Sequence, residues 1–313
     1  MAEIQKVAVI GCGAIGASWA ALFLARGLTV TAFDINPAAQ TALENMVQGA
    51  LPVLSSLGML KKTDAKASDI LFTTNMEEAL KDVDLVQENG PEKLQFKQDL
   101  FGKIASLVRA DTIIATSSSG LTCSSIQEGM DVSTHPERCV VGHPFNPPHL
   151  IPLVEVVGGK QTSSETIERM MQFYEGIGKK AVHVKKEVVG HVANRIQAAL
   201  MREVIYLLQE DIVGLEDIDK AVSYGPGLRW GVMGPGMLFH LGGGEGGVKH
   251  MADHLLEPMM SWYAKTDPVI NDDLKRKLVD ETLGEVAGRD FKDLAKQRDE
   301  QLVGLLNIRK QWE

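Results

Sequence analysis

Apolar residues come first in short continuous runs and later at helical spacing, and the change falls near residue 186. Lys6-Val7-Ala8-Val9-Ile10 is such a run, bounded by glycine, and reads as a parallel strand covered on both faces. An apolar helix over 14–26 follows, Gly27 ends it, and 30–33 is the next strand. Pro37 can open a helix over 38–57, and a short helical stretch ends near Leu80. Strands over 84–87 and 112–115 bracket a helix over 91–108. Strands over 138–142 and 153–157 flank a turn-rich loop, and a helix over 165–176 with a strand over 181–184 closes the series. This alternation predicts an α/β, Rossmann-type N-terminal domain spanning 1–186. Lys185-Lys186-Glu187 reads as a linker, beyond which the strand pattern stops. Helices over 188–212, 216–223 and 292–312, with an interrupted glycine-rich stretch over 225–247, predict an all-α C-terminal domain over 187–313. Its apolar helices are too few to cover one another, which predicts a homodimer formed through this domain.

The glycines sharpen the picture. Residues 7–25 carry no charge and are long enough to suggest a membrane or signal segment. Gly11, Gly13, Gly16 and Gly27 divide that stretch into a strand and a helix, so it reads as a buried βα unit with no targeting role. Gly11-Cys12-Gly13-Ala14-Ile15-Gly16 is a strand–turn–helix phosphate clamp. The glycines allow a tight turn, close backbone approach to a pyrophosphate and close helix packing. The N–H groups at the start of the helix, at Ala14 and Ile15, face the phosphates. Asp34, eighteen residues past Gly16, ends the second strand. A carboxylate there accepts from a ribose diol and repels a 2′-phosphate, so NAD is the expected cofactor.

A formal net charge of −9 argues against nucleic acid and offers no basic patch to a membrane surface. Cys12, Cys123 and Cys139 are scattered and odd in number, which implies no disulfide framework and a reducing cytoplasm. Cys12 reads as a small residue of the phosphate turn. His250 and His254 lie four apart with Glu257 near, but no convincing third ligand accompanies them, so no metal is expected.

His143 follows one strand and Glu155 lies on the next, twelve residues on, across a proline-rich reversal. Pro144 biases His143 toward an extended backbone. A carboxylate beside an imidazole fixes its tautomer and stabilises its charged form, which makes an acid–base pair suited to an alcohol that loses hydride. Spacing alone equally allows a loop histidine and an unrelated strand glutamate.

The runs Val141-Gly142-His143-Pro144-Phe145-Asn146-Pro147 and Pro152-Leu153-Val154-Glu155-Val156 resemble the 3-hydroxyacyl-CoA dehydrogenase superfamily. So do Ser117-Ser118-Ser119-Gly120-Leu121, Gln87-Glu88-Asn89-Gly90-Pro91-Glu92 and Gly190-His191-Val192-Ala193-Asn194-Arg195, in order along nearly the whole chain. The resemblance implies that His143 and Glu155 form a catalytic dyad, and that Ser119 and Asn194 hold the reacting oxygen. It also implies that Glu92, Lys97 and Ser119 lie at the cofactor, and Asn146 at the substrate. The long charged ending over 292–312 is similar to the branch that acts on small free hydroxy acids, which includes carnitine and gulonate dehydrogenases and lambda-crystallins. Tyr224-Gly225-Pro226-Gly227-Leu228-Arg229-Trp230 resembles the Gly-Leu-Arg-Trp segment of the carnitine enzymes. In a carnitine site Arg229 could pair the carboxylate, and Trp230 could face the trimethylammonium group, worth about 0.5–2 kcal/mol. Asn194 stands where those enzymes often carry aspartate, and Gly231-Val232 replaces a more polar, aromatic pair. The expectation is therefore NAD-dependent oxidation of a small L-3-hydroxy acid, L-carnitine first. A gulonate-like acid, a short 3-hydroxy acid, 3-hydroxybutyryl-CoA and a non-catalytic NAD-binding protein are the alternatives.

Overall fold

A computed structural model describes residues 3–312. The chain divides into two compact units, Met1–Arg195 and Ile196–Glu313. The first is built on strands β1 (Lys6–Ile10), β2 (Thr29–Phe33), β3 (Leu71–Thr73), β4 (Leu85–Glu88), β5 (Ile113–Thr116), β6 (Cys139–Pro144), β7 (Leu153–Gly158) and β8 (Lys180–His183). They form one sheet in the order β3-β2-β1-β4-β5-β6-β7-β8. All neighbours are parallel except β6 and β7. The chain leaves β1 toward one edge and returns beside it as β4, so the strand order reverses between these two strands. Ligands of open α/β sheets bind outside the carboxyl ends of the strands at such a reversal.

Both faces of the sheet are covered, which explains the continuous apolar strands. Val7 and Val9 face a core shared with helices α1 (Ala14–Ala25), α2 (Ala39–Ser56) and Ser164–Gly176. Ala8 and Ile10 face the opposite core, with Phe101 and Ile104 of the helix Leu94–Leu107. Helix α1 is almost wholly buried, and Trp19 stacks on Phe23 and Tyr174 at ring distances of 5.2 and 5.6 Å. Strand β3 escaped the sequence pattern: it is a three-residue edge strand with a single buried side chain.

The expected helix over 188–212 starts late, at Ala193, and runs to Gln209. Gly190 and His191 both have positive φ, +77° and +48°, so the chain cannot be helical before that point. The residues read as a linker are packed: Glu187 accepts from Ser124 N–H at 2.8 Å and from the Ser124 hydroxyl.

The described residues of the second unit form helices and no strand. Leu215–Tyr224, Pro226–Trp230, Pro235–Gly242, Gly247–His254, Leu256–Met259, Asp272–Val286 and Phe291–Arg309 follow the long Ala193–Gln209 helix. The glycine-rich stretch thus breaks into short helices, two of them opened by proline at the first helical position. The fully buried core of this unit is small, centred on Val204, Leu215 and Ile218. Among the described residues no helix is long and apolar enough to cross a membrane.

Candidate active site

The site begins at the carboxyl end of β1. Gly11 has φ +87° and donates to Phe33 O at 2.8 Å, which turns the chain toward α1. A Cβ on Gly16 would lie 1.8 Å from Gly11 O, so only glycine lets the helix approach the turn. A Cβ on Gly13 would meet no protein atom within 4 Å, so the turn is open on that side. No side chain caps α1, and its first turn holds no acidic residue. An open turn and an uncapped helix start with no acidic residue in its first turn are what a dinucleotide pyrophosphate requires. Gly13, Ala14, Ile15 and Gly16 therefore fit the expected cofactor. Asp34 accepts from Cys12 N–H at 2.9 Å and from Asn36 N–H at 3.0 Å. It is half-buried at the end of β2, where it also braces the turn. Cys12 is buried, its thiol pushed up to about 12 by burial first and by Asp34 second, so it is an inert filler.

Beside the turn, β4 and β5 carry polar groups inward. Gln87 Nε2 and Trp19 Nε1 donate to Ser117 Oγ at 2.9 and 3.1 Å, and Ser117 donates to Asn89 Oδ1 at 2.7 Å. Tyr174 donates to Gln87 Oε1 at 2.7 Å, which closes the network. Lys97 is only 1 % exposed and presents no free ammonium to a pocket. It is paired with the buried Glu88 at 2.7 Å and donates to Gly90 O at 3.3 Å. Its reach toward the expected cofactor site is through Glu92, 3.9 Å away. Glu92 Oε1 accepts from Ser118 Oγ (2.6 Å) and from the N–H groups of Ser119, Gly120 and Leu121 (3.1, 2.7 and 3.2 Å). Burial alone would raise its pKa, but these bonds and Lys97 hold it below the usual range. Glu92 thus pins the turn that presents Ser119.

His143 and Glu155 are directly opposite on the antiparallel pair β6–β7. Their side chains therefore leave the same face of the sheet. His143 Nδ1 lies 2.9 Å from Glu155 Oε2, and His143 Nε2 lies 3.0 Å from Ser119 Oγ. Glu155 is 1 % exposed, and its other oxygen accepts from the N–H groups of Val192 and Ala193 at 2.8 and 3.0 Å. Burial pushes this carboxyl up, but the hydrogen bond from His143 and the two backbone donors bring it below its ordinary value. Glu155 is thus an anion at neutral pH, so Nδ1 carries the proton and Nε2 offers its lone pair toward Ser119. A ring with this tautomer can take a proton from an alcohol and return it. Asn194 follows directly on the two donors and is half-buried, with no hydrogen bond from its amide to another described residue. Asn146 is exposed in the loop between β6 and β7. Arg229 and Trp230 lie on the short helix Pro226–Trp230 of the second unit, both exposed.

Two residues of the site were not singled out in the sequence. Glu88 is signalled there only as a charge at the end of an apolar run. His191, whose ring centroid is 5.0 Å from that of His143, gave no signal beyond its place in a motif.

Residues 6–188 match the family model "3-hydroxyacyl-CoA dehydrogenase, NAD binding domain", and residues 190–291 match "3-hydroxyacyl-CoA dehydrogenase, C-terminal domain". The chain belongs to the 3-hydroxyacyl-CoA dehydrogenase family and is an NAD-dependent oxidoreductase. Within that class it is 40% identical over 305 residues to the L-carnitine dehydrogenase of Streptomyces coelicolor, covering 97% of this chain and 94% of that protein. It is 39% identical over 306 residues to the L-carnitine dehydrogenase of Oceanobacillus iheyensis, covering 97% and 98%. The crystal structure of 5-formyl-3-hydroxy-2-methylpyridine 4-carboxylic acid 5-dehydrogenase, described as an NAD+ dependent dismutase, superposes with a TM-score of 0.84. It is 30% identical, with 98% of this chain and 99% of that chain covered.

Proposed function

We propose that the protein oxidises the 3-hydroxyl of L-carnitine to the ketone. The observation that carries this reading is identity near 40% along almost the whole chain to L-carnitine dehydrogenases, including the second domain. Bound NAD supplies the hydride acceptor. His143 Nε2 takes the hydroxyl proton as the carbinol hydrogen leaves, and Glu155 stabilises the imidazolium through Nδ1–H. Ser119 and the unpartnered amide of Asn194 hold the reacting oxygen, and in reverse they stabilise the developing alkoxide. Asn146 is assigned to the substrate on the first unit; the likeness of the Gly-Leu-Arg-Trp segment assigns Arg229 to the carboxylate and Trp230 to the quaternary ammonium. Glu92 and Lys97 shape the cofactor side, and Asp34 holds the ribose. Asn194, where an aspartate would add a negative charge, leaves the cation to aromatic contacts.

The protein functions as a homodimer through its helical unit, in a reducing cytoplasm. Three buried free cysteines support the compartment, with Cys123 and Cys139 in thiol contact at 3.8 Å. NADH formation with L-carnitine, D-carnitine, L-gulonate, L-3-hydroxybutyrate and L-3-hydroxybutyryl-CoA tests the assignment. The expected result is turnover of L-carnitine with at least about a hundredfold preference in kcat/KM over the others. Turnover of L-gulonate or hydroxybutyrate with carnitine inert would retain the dyad and discard the cation site. Preference for the thioester would overturn the small-acid reading.

A further inference from the structure

We propose that His191 is a positioning residue that acts on the reacting histidine as a neutral imidazole protonated on Nε2 alone. His191 is 3 % exposed, and its ring lies against that of His143 at 48° between planes. Its Nε2 is 3.1 Å from the carbonyl oxygen of Ser118. A carbonyl can only accept, so Nε2 carries the proton. Nδ1 is buried with no hydrogen-bond partner among the described residues, so the neutral ring leaves a bare lone pair there. Adding a proton at Nδ1 would bury a donor with no acceptor and set a charge against His143.

The backbone at this point serves the same end. His191 is a non-glycine residue at φ +48°, a conformation that persists where surrounding contacts fix it. The bend sends the His191 ring to Ser118 O and the next two N–H groups to Glu155. One turn thus braces both ends of the Ser119–His143–Glu155 chain. The charged or titratable groups around His191 are His143 on β6, Glu155 on β7 and Glu92 before the helix Leu94–Leu107. Burial first, and His143 with it, lowers the proton affinity of His191, against the pull of the Ser118 carbonyl and the two carboxylates. The ring is therefore neutral while the site works. When it is protonated in acid, the Ser119 hydroxyl and the His143 ring lose their alignment.

This inference rests on the reading of His143 and Glu155 as the reacting dyad, and the test separates the two. The pH dependence of kcat/KM is measured with L-carnitine, or with whichever acid of the panel is turned over, for wild type, His143→Gln, His191→Phe and His191→Gln. NADH binding and circular dichroism report on folding. His191→Phe keeps the packing but removes the donor, and its kcat is expected to fall by up to about a hundredfold, as misplacement of a reacting group costs. In His191→Gln the new side-chain amide can donate to Ser118 O but cannot titrate. That variant should keep at least about a tenth of the wild-type rate while its acid limb becomes one proton shallower than that of wild type. A nitrogen-15 spectrum of the ring should show neutral His191 protonated on Nε2 at pH 7. A folded His191→Phe within twofold of wild type, a His191→Gln variant as slow as His191→Phe, or an unchanged acid limb would overturn the proposal. A folded, active His143→Gln would instead overturn the dyad on which it stands.

Discussion

Lys179 shows how far a single buried group can depend on its surroundings. It is 3 % exposed and has no carboxylate partner among the described residues; its ammonium donates to Pro148 O and Ile151 O at 2.8 and 2.6 Å and lies 5.1 Å over the Trp19 ring. Burial lowers its pKa to about 7. The unfolded chain holds this proton to a pKa of about 10.4, so between these values it binds more protons than the folded chain. Stability attributable to this lysine therefore rises with pH across that window, by at most about 1.4 kcal/mol per unit. Urea unfolding of wild type and Lys179→Met at pH 6.5, 8 and 9.5 should show the wild type gaining on the variant at each step. A constant difference would mean that the ammonium stays charged. Nothing in the sequence marked this lysine, because lysine in an apolar–polar pattern reads as surface. The histidine and glutamate of the site were readable, since proline, strand ends and spacing all constrain them, whereas the bond between them waits on strand pairing.

At the level of elements, the phosphate turn was legible as a whole because each glycine answers a separate steric demand. Gly16 and Gly13 make the demands distinguishable. Alanine at 16 drives a methyl into Gly11 O, and Gly16→Ala should lose about 1–3 kcal/mol of stability or fail to fold. Alanine at 13 meets no protein atom, so Gly13→Ala should melt like wild type yet bind NAD at least about tenfold more weakly, ~1.4 kcal/mol. Calorimetric titration with NAD alongside thermal unfolding checks both, and normal NAD binding by Gly13→Ala would mean that the open side of the turn does not face the cofactor. The late start of the helix at Ala193 was illegible for a complementary reason. Apolar spacing continues through 188–192, and only the backbone at Gly190 and His191 interrupts it.

For the molecule as a whole, the division into an α/β and a helical unit follows from where strand runs cease, whereas the sheet order, with its unforeseen edge strand β3, does not. The helical unit is the less readable half, since its glycine-rich stretch forms α-helices of only five and eight residues whose partners periodicity does not name. It also leaves large apolar side chains uncovered, with Trp262 66% exposed and Leu241 60%. Sedimentation velocity should return twice the mass of the single chain at micromolar concentration, and a monomer there would refute the homodimer. The pairing of β6 with β7 reaches further than this one protein. Because the ladder, not the loop, sets the spacing of His143 and Glu155, it serves as a molecular ruler. Residues 145–147 can be exchanged while the ruler keeps its graduations, but one residue inserted between Leu153 and Glu155 would turn the carboxylate to the far side of the sheet. On the dyad reading proposed above, a library built on this scaffold can vary the loop while the His143–Glu155 pair stays in place.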